Sequence, residues 1–487
     1  MERRRDRATG RQGDGAMGRF CGPLATTPSL CPSFYTFLRR PVAPSPRRPI
    51  FLFLCLAALS GAGCGSGISS APSNSSSITV PAAHPIPANA AGGDGSEQAI
   101  RFLEDRVKRD PDDFIALNKL AGYYLLRLRE TGSATWLDLA ARAARNSLKA
   151  IPAEQNAGGL SLLAQVEMAG HDFASARNHA EQLAQLEPRK GDPYLLLGDA
   201  LMELGDYEAA QSAFREMGKR GSADVAARTR LARMATLTGD NSRAERLYAE
   251  ALTLAVDAVP PSRETIAWLR WQFGESAFSA GDYDKAEKHY RDSLVTFPDY
   301  YRALAGLGRA LAAKGDLNGA IEHYERAVRI LPDPAFVAAL GDLYQIAGRT
   351  KEAEAHYALC EQTARLSAAN GRLYNRQLAL FYADHDLKAG EAYQLAKREY
   401  EMRRDIYGAD ALAWTALKAG KIDEARQAVK EALRLGTQDA KLFYHSGMIA
   451  RGAGDRATAQ EYLQRALKLN PRFDPRQSQV AKQALAE

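Results

Sequence analysis

One alanine that returns at a nearly constant interval constrains this chain more than any other feature. The intervals are 34, 42, 34, 33, 72 and 34 residues, and the alanines are Ala210, Ala244, Ala286, Ala320, Ala353, Ala425 and Ala459. The longest interval contains a degenerate copy with Ala392 at the same position. A period of about 34 residues indicates a stack of similar supersecondary units rather than one globular core.

Each copy also repeats one order of residue types, as the copy around Ala320 illustrates. Leu307 and Gly308 open the copy, a Gly-Asp pair divides it, Tyr324 follows Ala320 by four residues, and Pro332 closes it. Gly308 and Ala320 are small enough for two helices to cross closely, while Leu307 and Tyr324 supply apolar contact. Glycine turns and prolines end helices. The order therefore predicts two antiparallel helices in each copy.

This pattern resembles the tetratricopeptide repeat, W-x2-L-G-x2-Y…A-x3-F…P, over residues 97–475. The resemblance implies an all-α fold, a right-handed α-α superhelix (solenoid) of about ten helix-turn-helix repeats. Residues 476–487 are predicted to form a C-terminal capping helix that covers the apolar face of the last repeat. The resemblance also implies a non-catalytic scaffold that binds a peptide or partner helix along its concave face.

Catalytic and metal-binding motifs are absent from the sequence. It contains no H-E-x-x-H, no G-x-S-x-G, no phosphate-binding loop and no Cys/His cluster with metal-ligand spacing. His289, His323 and His356 recur at one position of three successive copies. Equivalent side chains of stacked helices lie about 10 Å apart, too far to share an ion, so these histidines are predicted to be exposed polar residues. We therefore expect no enzyme activity, no cofactor and no metal.

The distribution of charge argues against a nucleic-acid partner. Residues 1–63 hold ten basic and three acidic residues, which leaves 54 basic and 55 acidic residues in the rest of the chain. The net charge of +6 therefore belongs to the leader, and the repeats have no polyanion-binding excess. Cys360 is the lone cysteine of the repeats and is predicted to be a small core residue.

An export signal precedes the repeats. Arginines at positions 39, 40, 47 and 48 are followed by an apolar run at residues 50–59 and by Ser-Gly-Ala-Gly-Cys, which ends at Cys64. Residues 1–63 are thus predicted to be a basic N-terminal extension and a signal peptide. The run is shorter than the roughly 20 residues of a transmembrane helix. The cysteine after small residues resembles a bacterial lipoprotein box, which implies lipidation of Cys64. Because Gly61 stands where that box favours Leu, a soluble product is the alternative.

A tether is predicted between this leader and the repeats. Residues 64–96 are rich in Ser, Pro, Ala and Gly and contain few bulky apolar side chains. Such a segment buries too little surface to offset the entropy of ordering, so we expect it to be flexible. The chain is expected to be exported and periplasm-facing, with a lipid anchor in the outer or inner membrane. A soluble periplasmic or secreted form is the alternative.

The predicted function is that of a protein-binding adaptor in the bacterial cell envelope. The alternatives are an accessory subunit of an envelope enzyme or assembly machine (secretion, pilus or outer-membrane biogenesis), or a self-assembling structural solenoid. Aromatic and Arg side chains are typical anchors of binding sites. Projection of the repeat onto the concave face predicts these partner-binding residues: Trp268, Trp271, Glu275, Phe278, Arg302, Arg309, Asp342, Gln345, Tyr407, Trp414, Tyr444, Met448 and Arg451. The oligomeric state is left open.

Overall fold

The computed structural model describes residues 80–83, 94–221, 224–369 and 375–487. All of them belong to one compact unit, Ser75–Glu487. The predicted signal peptide, the lipidation residue Cys64 and most of the predicted tether lie outside the described residues.

Every regular element in the described part of the chain is an α-helix. In chain order the helices are α1 Asp94–Arg109, α2 Phe114–Thr131, α3 Ala134–Ala150, α4 Ala157–Ala169, α5 Phe173–Leu186, α6 Asp192–Leu204, α7 Tyr207–Lys219, α8 Val225–Leu237, α9 Asn241–Val256, α10 Arg263–Ser279, α11 Tyr283–Thr296, α12 Tyr301–Lys314, α13 Leu317–Ile330, α14 Pro334–Ile346, α15 Thr350–Ala369, α16 Asn375–Asp384, α17 Ala389–Met402, α18 Ile406–Lys418, α19 Ile422–Leu433, α20 Ala440–Gly452, α21 Arg456–Leu469 and α22 Gln477–Ala486. None of these helices is long and apolar enough to cross a bilayer.

The helices form ten consecutive pairs, from α2 with α3 to α20 with α21, and each pair packs on the next. This arrangement confirms the predicted all-α solenoid of about ten repeats. Helix α1 packs on α2 at one end of the array, and α22 packs on α20 and α21 at the other. The two terminal helices cover apolar faces that have no further repeat to pack against.

Local sequence explains where the helices of a pair begin and end. In the third pair, Gly205 adopts φ +83° after α6, a left-handed conformation that glycine reaches without steric cost. Asp206 then accepts a hydrogen bond from the backbone N–H of Ala209 and caps α7. The same cap recurs at Asp240, Asp282, Asp316 and Asp455.

The small residues of the repeat lie where the two helices of a pair cross. A Cβ atom on Gly308 would lie 2.6 Å from the ring of Tyr324, and one on Gly341 would lie 2.6 Å from the ring of Tyr357. Ala320 is completely buried at the same crossing. Each aromatic ring therefore packs directly on a glycine backbone, which holds the helices of a pair close together.

Successive turns of the superhelix contact each other directly. Tyr207 accepts a hydrogen bond from the N–H of Ile406, 199 residues further along the chain. Leu237 accepts one from the hydroxyl of Thr437, 200 residues further along, and Phe278 accepts one from Asn470, 192 residues further along. An interval near 200 residues equals six repeats. The first two contacts join a repeat to the start of the sixth repeat after it, and the third joins α10 to the segment that follows the tenth pair.

Candidate partner-binding surface

A cavity of about 790 Å³ lies within the first superhelical turn. Its walls come mainly from the first helices of five successive pairs, α2, α4, α6, α8 and α10. Its volume falls within the roughly 300–1,000 Å³ of typical ligand sites. The lining residues are Leu125, Leu128, Arg129, Gln165, Met168, Ala169, Leu196, Asp199, Asp224, Val225, Ala226, Thr229, Arg230, Arg233, Tyr248, Glu264, Thr265, Trp268 and Gln272.

The charged side chains of the cavity are largely paired with one another. Arg230 donates to both carboxylate oxygens of Asp199, with Nε–Oδ distances of 2.9 and 3.2 Å. Arg129 lies 3.5 Å from the Glu264 carboxylate. Arg233, another lining residue, pairs with Glu203. The walls therefore carry both signs of charge in fixed positions, with no large excess of either.

Two aromatic side chains form a further part of the cavity wall. Tyr248 and Trp268 meet edge to face, with ring centroids 6.2 Å apart. Burial raises the pKa of Tyr248 to about 12, so its hydroxyl stays protonated at neutral pH. Trp268 is only partly buried. Its ring therefore gives the cavity an apolar surface beside the ion pairs.

In every pair, the residue eleven positions before the recurring alanine lies on the first helix. The charges at this position alternate along the chain, and its members are Arg129, Gln165, Asp199, Arg233, Glu275, Arg309, Asp342, Phe381, Trp414 and Met448. The sequence prediction identified Glu275, Arg309 and three later members. It missed the first four and Phe381, although counting eleven residues back from the alanine of each copy would have found them.

The predicted residues of α10 and α12 meet in one network. Glu275 accepts hydrogen bonds from Arg309 (2.6 Å) and from the hydroxyl of Tyr290 (2.7 Å). The Arg309 guanidinium lies 4.2 Å from the ring centroid of Phe278. Phe278 is 4% exposed, so it stacks within the repeats and does not present a surface to a partner. This differs from the predicted role of Phe278.

Two other residues predicted on these helices lie nearer the surface. Exposed Arg302 lies over the partly buried ring of Trp271, 5.6 Å from its centroid. Of the residues predicted on α10, only Trp268 lines the cavity.

The next predicted residues, on α14, serve different purposes. Asp342 accepts hydrogen bonds from Tyr357 (2.8 Å) and Arg476 (2.9 Å) and lies 2.8 Å from a ring nitrogen of His385. Burial opposes ionisation of Asp342, but these partners outweigh it and hold the pKa of that carboxyl below its usual value. Asp342 thereby links α14 to the C-terminal region. Gln345 is exposed.

The structure buries two aromatic residues that were predicted to bind a partner in the last repeats. Trp414 is 2% exposed and Tyr444 is 3% exposed. Trp414 donates from its indole nitrogen to Asp384 (2.7 Å), and Tyr444 packs against Phe473, with ring centroids 5.5 Å apart. The segment that leads into α22 fills this part of the interior. Neither ring is available to a partner, which corrects the prediction.

The other predicted residues of this region keep some exposure. Tyr407 is 36% exposed and Met448 is partly buried against the same cluster as Trp414. Arg451 is exposed and pairs with Glu487 at the end of the chain. The structure thus does not bring the thirteen predicted residues together into one surface.

The histidine series differs from its prediction at one member. His289 is 4% exposed and packs on Phe273, with ring centroids 5.4 Å apart. Burial lowers its pKa to about 4. His323 and His356 are partly exposed. Within the described residues, no group of three or more His, Cys, Asp or Glu side chains could hold a metal ion.

Cys360 is buried, as its position in the repeat predicted. Its thiol donates to the carbonyl of Pro334 at 3.3 Å. Burial raises the pKa of this thiol to about 12, which suppresses the reactive thiolate at neutral pH.

Comparison with known families agrees with this geometry. Two tetratricopeptide repeat profiles match the chain, one at residues 195–262, 272–335 and 411–472, the other at residues 167–221. The chain belongs to the tetratricopeptide repeat family. Members of this family are generally protein–protein interaction scaffolds and are typically non-catalytic.

Similarity to individual proteins is either short or low in sequence identity. A 70-residue stretch is 41% identical to a biofilm-formation methyltransferase, WspC, of Pseudomonas putida. It covers 14% of this chain and 16% of that relative. Human IFIT1, as a dimer with PPP-AAAA, matches 78% of this chain and 95% of its own at 14% identity and a TM-score of 0.42. Pseudomonas aeruginosa pilF matches 63% of this chain and 99% of its own at 16% identity and a TM-score of 0.26.

In this tetratricopeptide repeat protein, the residues eleven positions before the recurring alanine have two kinds of surroundings. Arg129, Asp199 and Arg233 line or border an open cavity in the first turn. Trp414, at the equivalent position of the second turn, is buried. The interior is therefore open at these residues of the first turn and closed at Trp414.

Proposed function

We propose that this protein is an adaptor that binds a segment of a partner protein in the first-turn cavity. The cavity itself carries the proposal, because it extends along five successive first helices and has the volume of a ligand site. Paired charges and a partly buried Trp on its walls supply the mixture of polar and apolar contacts typical of peptide recognition.

The chemistry of the walls indicates what such a segment contains. The aromatic wall, with Trp268 and Tyr248, favours an apolar side chain as the anchor. Elsewhere in the cavity wall, Asp199 and Arg230 already satisfy each other at 2.9 Å. A polar group of a partner can therefore hydrogen-bond to this ion pair without having to neutralise an unpaired charge. We therefore propose a peptide or helix with a central apolar residue and polar neighbours.

Site-specific photo-crosslinking in the producing cell tests this proposal. A photoreactive amino acid replaces Gln272 in the cavity, and a matched protein carries it at Arg243, which is exposed on α9. We expect a discrete adduct from position 272 and none from position 243. Adducts of equal intensity from both positions, or none from position 272, would contradict the proposal.

Substitution of Trp268 provides the second arm of this test. Trp268→Ala removes the apolar anchor, and loss of a binding hot spot costs about 2 kcal/mol or more, which corresponds to about 30-fold in affinity. We expect the adduct at position 272 to disappear in the Trp268→Ala protein. Trp136→Ala is the control, because that ring packs with Tyr124 and Arg127 outside the cavity. It should leave the adduct unchanged.

We further propose that the protein acts in the cell envelope, attached by a lipid on Cys64. The support is the basic stretch, the apolar run at residues 50–59 and the small residues before this cysteine. Mass spectrometry of the mature N-terminus tests it directly. A diacylated or triacylated Cys64 at the first position is expected, whereas an unmodified Cys64 or a start beyond it would refute the anchor.

A further inference from the structure

The side chain of Arg270 is the most unusual charged group in the described part of the chain. It lies in the middle of α10 and is only 3% exposed. Its Nη1 donates to the carbonyl of Asp292 (3.2 Å) and to the hydroxyl of Thr296 (3.0 Å) at the end of α11. Among the described residues, no carboxylate lies within ion-pair distance of it, and its buried Nε has no partner. Burial of a guanidinium without a counter-ion is costly, which favours a role beyond stability.

The third contact of Arg270 comes from a distant part of the chain. Its Nη2 donates to the carbonyl of Ala82 at 2.7 Å, across 188 residues of sequence. Residues 80–83, Val-Pro-Ala-Ala, have no regular secondary structure. Val80 packs against the core cluster of α8, α9 and α10, which Trp268 and Val225 also border. Residues 80–83, which precede α1, therefore lie between an apolar patch and a buried hydrogen-bond donor.

Two properties of residues 80–83 suit them to this position. Pro81 restricts its own φ and also disfavours helix at Val80, so the segment loses less entropy than a Gly-Ser sequence when it binds. Val80 offers the only branched apolar side chain of residues 80–83 and is half-buried, whereas Ala82 is exposed and contributes its carbonyl. The contact thus uses one apolar side chain and one backbone acceptor.

We propose that the face of α10 and α11 around Arg270 is a peptide-binding site that residues 80–83 of the same chain occupy in cis. The buried guanidinium recognises a backbone carbonyl, and the adjoining patch recognises a branched apolar side chain two residues earlier. The segment thereby fixes the N-terminal part of the chain to the fifth repeat rather than leaving it attached only at α1. The site adjoins the first-turn cavity at Trp268 and Val225, but it recognises a backbone carbonyl through Arg270 and does not depend on the function proposed for the cavity.

A synthetic peptide of residues 78–85 tests the site by isothermal titration calorimetry. The receptor is the full chain in which residues 80–83 are replaced by Gly-Ser-Gly-Ser, so that the site around Arg270 is unoccupied. We expect this protein to bind the peptide and the wild-type chain to bind it at least fivefold more weakly, because a tethered segment competes at an effective concentration on the order of millimolar. Failure of the replaced protein to bind, or equal binding to both proteins, would overturn the proposal.

Two substitutions identify the contacts that matter. Arg270→Met, made in the Gly-Ser-Gly-Ser background, keeps the length of the side chain and removes its donors, so peptide affinity should fall at least tenfold. Its melting temperature should stay equal or rise, because a buried charge without a counter-ion is removed. A peptide with Val80→Asp should also fail to bind, and this change does not touch the folded repeats. Unchanged affinity in either case would refute the proposed contacts.

Light scattering separates cis from trans occupancy. We expect the wild-type chain and the Gly-Ser-Gly-Ser protein to have the same molar mass at all concentrations. A wild-type dimer that dissociates on replacement of residues 80–83 would mean that a second copy donates the segment, which contradicts occupancy in cis.

Discussion

Single side chains at the helix crossings set how closely each pair of helices packs. Ala320 is fully buried, and its carbonyl oxygen lies 3.0 Å from the position that a Cβ on Gly308 would take. The ring of Tyr324 fills the remaining space. A larger side chain cannot be accommodated in this contact unless the two helices move apart.

Ala320→Leu should therefore destabilise the solenoid by about 1–3 kcal/mol through overpacking. Ala355→Leu is the control, because Ala355 is exposed on α15 and the new side chain enters solvent. The midpoints of urea denaturation, followed by circular dichroism, provide the measurement. Equal midpoints for the two variants would contradict the crossing geometry.

His289 makes the stability of the protein depend on pH. Burial, and next Lys288, disfavour its protonated form and lower its pKa from 6.5 to about 4. The unfolded chain binds the proton near pH 6.5 and the folded chain only near pH 4. Stability is therefore full above about pH 6.5 and is lost as the pH falls toward 4.

His289→Gln removes this linkage and should reduce the loss of stability between pH 7 and pH 4. The depressed pKa corresponds to roughly 2–3 kcal/mol over that interval. Thermal denaturation at a series of pH values gives the measurement, with His356→Gln as the control at the equivalent position of a later repeat. If wild-type and His289→Gln lose the same stability on acidification, His289 is not the group responsible.

The turns between the helices of a pair look alike in sequence but differ in their surroundings. Gly205 and Gly348 both adopt the left-handed conformation, with φ values of +83° and +74°. A Cβ on Gly205 would overlap the carbonyl of Arg404 in the next superhelical turn, whereas nothing lies within 4 Å of the corresponding position at Gly348. The turn at Gly205 therefore packs against the next superhelical turn, whereas the turn at Gly348 has open space around it.

Gly205→Ala should consequently be more destabilising than Gly348→Ala. Both substitutions strain the backbone by about 1 kcal/mol, because alanine disfavours positive φ. Gly205→Ala adds a steric overlap worth roughly 1–3 kcal/mol. Differential scanning calorimetry of the two variants measures the difference, and equal losses of stability would show that the two turns do not pack together in solution.

Arginine side chains hold the superhelical turns together. Arg403 pairs with Glu203 and lies 4.9 Å from the ring centroid of Phe173. Arg434 donates to the carbonyl of Gly205 at 2.7 Å and lies 5.0 Å from the ring centroid of Tyr207. Burial would raise the pKa of Glu203, but Arg233 and Arg403 outweigh it and keep this carboxyl ionised.

Removal of both arginines should loosen the contact between turns without unfolding the repeats. We expect Arg403→Ala with Arg434→Ala to increase the radius of gyration measured by small-angle X-ray scattering, at unchanged helix content. Arg426→Ala with Lys430→Ala removes the same charge from exposed positions on α19 and should leave the radius unchanged. An unchanged radius in the first variant would show that these contacts are dispensable.

The repeats were predictable from sequence because their determinants are local. The spacing of Gly308, Ala320 and Tyr324 specifies a helix pair on its own, and the Gly-Asp turns mark where the first helix ends. The candidate site was predictable only in part. The position that yields Glu275 and Arg309 also yields Asp199 and Arg233, but nothing within a repeat distinguishes an open cavity from a filled interior.

Local sequence specifies the architecture: helix pairs, their number, their turns and the buried positions of each pair. Three features arise only from the packing of distant repeats: the superhelix returns on itself after six repeats, Trp414 and Tyr444 are enclosed, and residues 80–83 contact Arg270. The physical reason is that superhelical pitch accumulates from a small rotation at every repeat interface. Contacts across a full turn depend on the sum of those rotations, which no single repeat encodes.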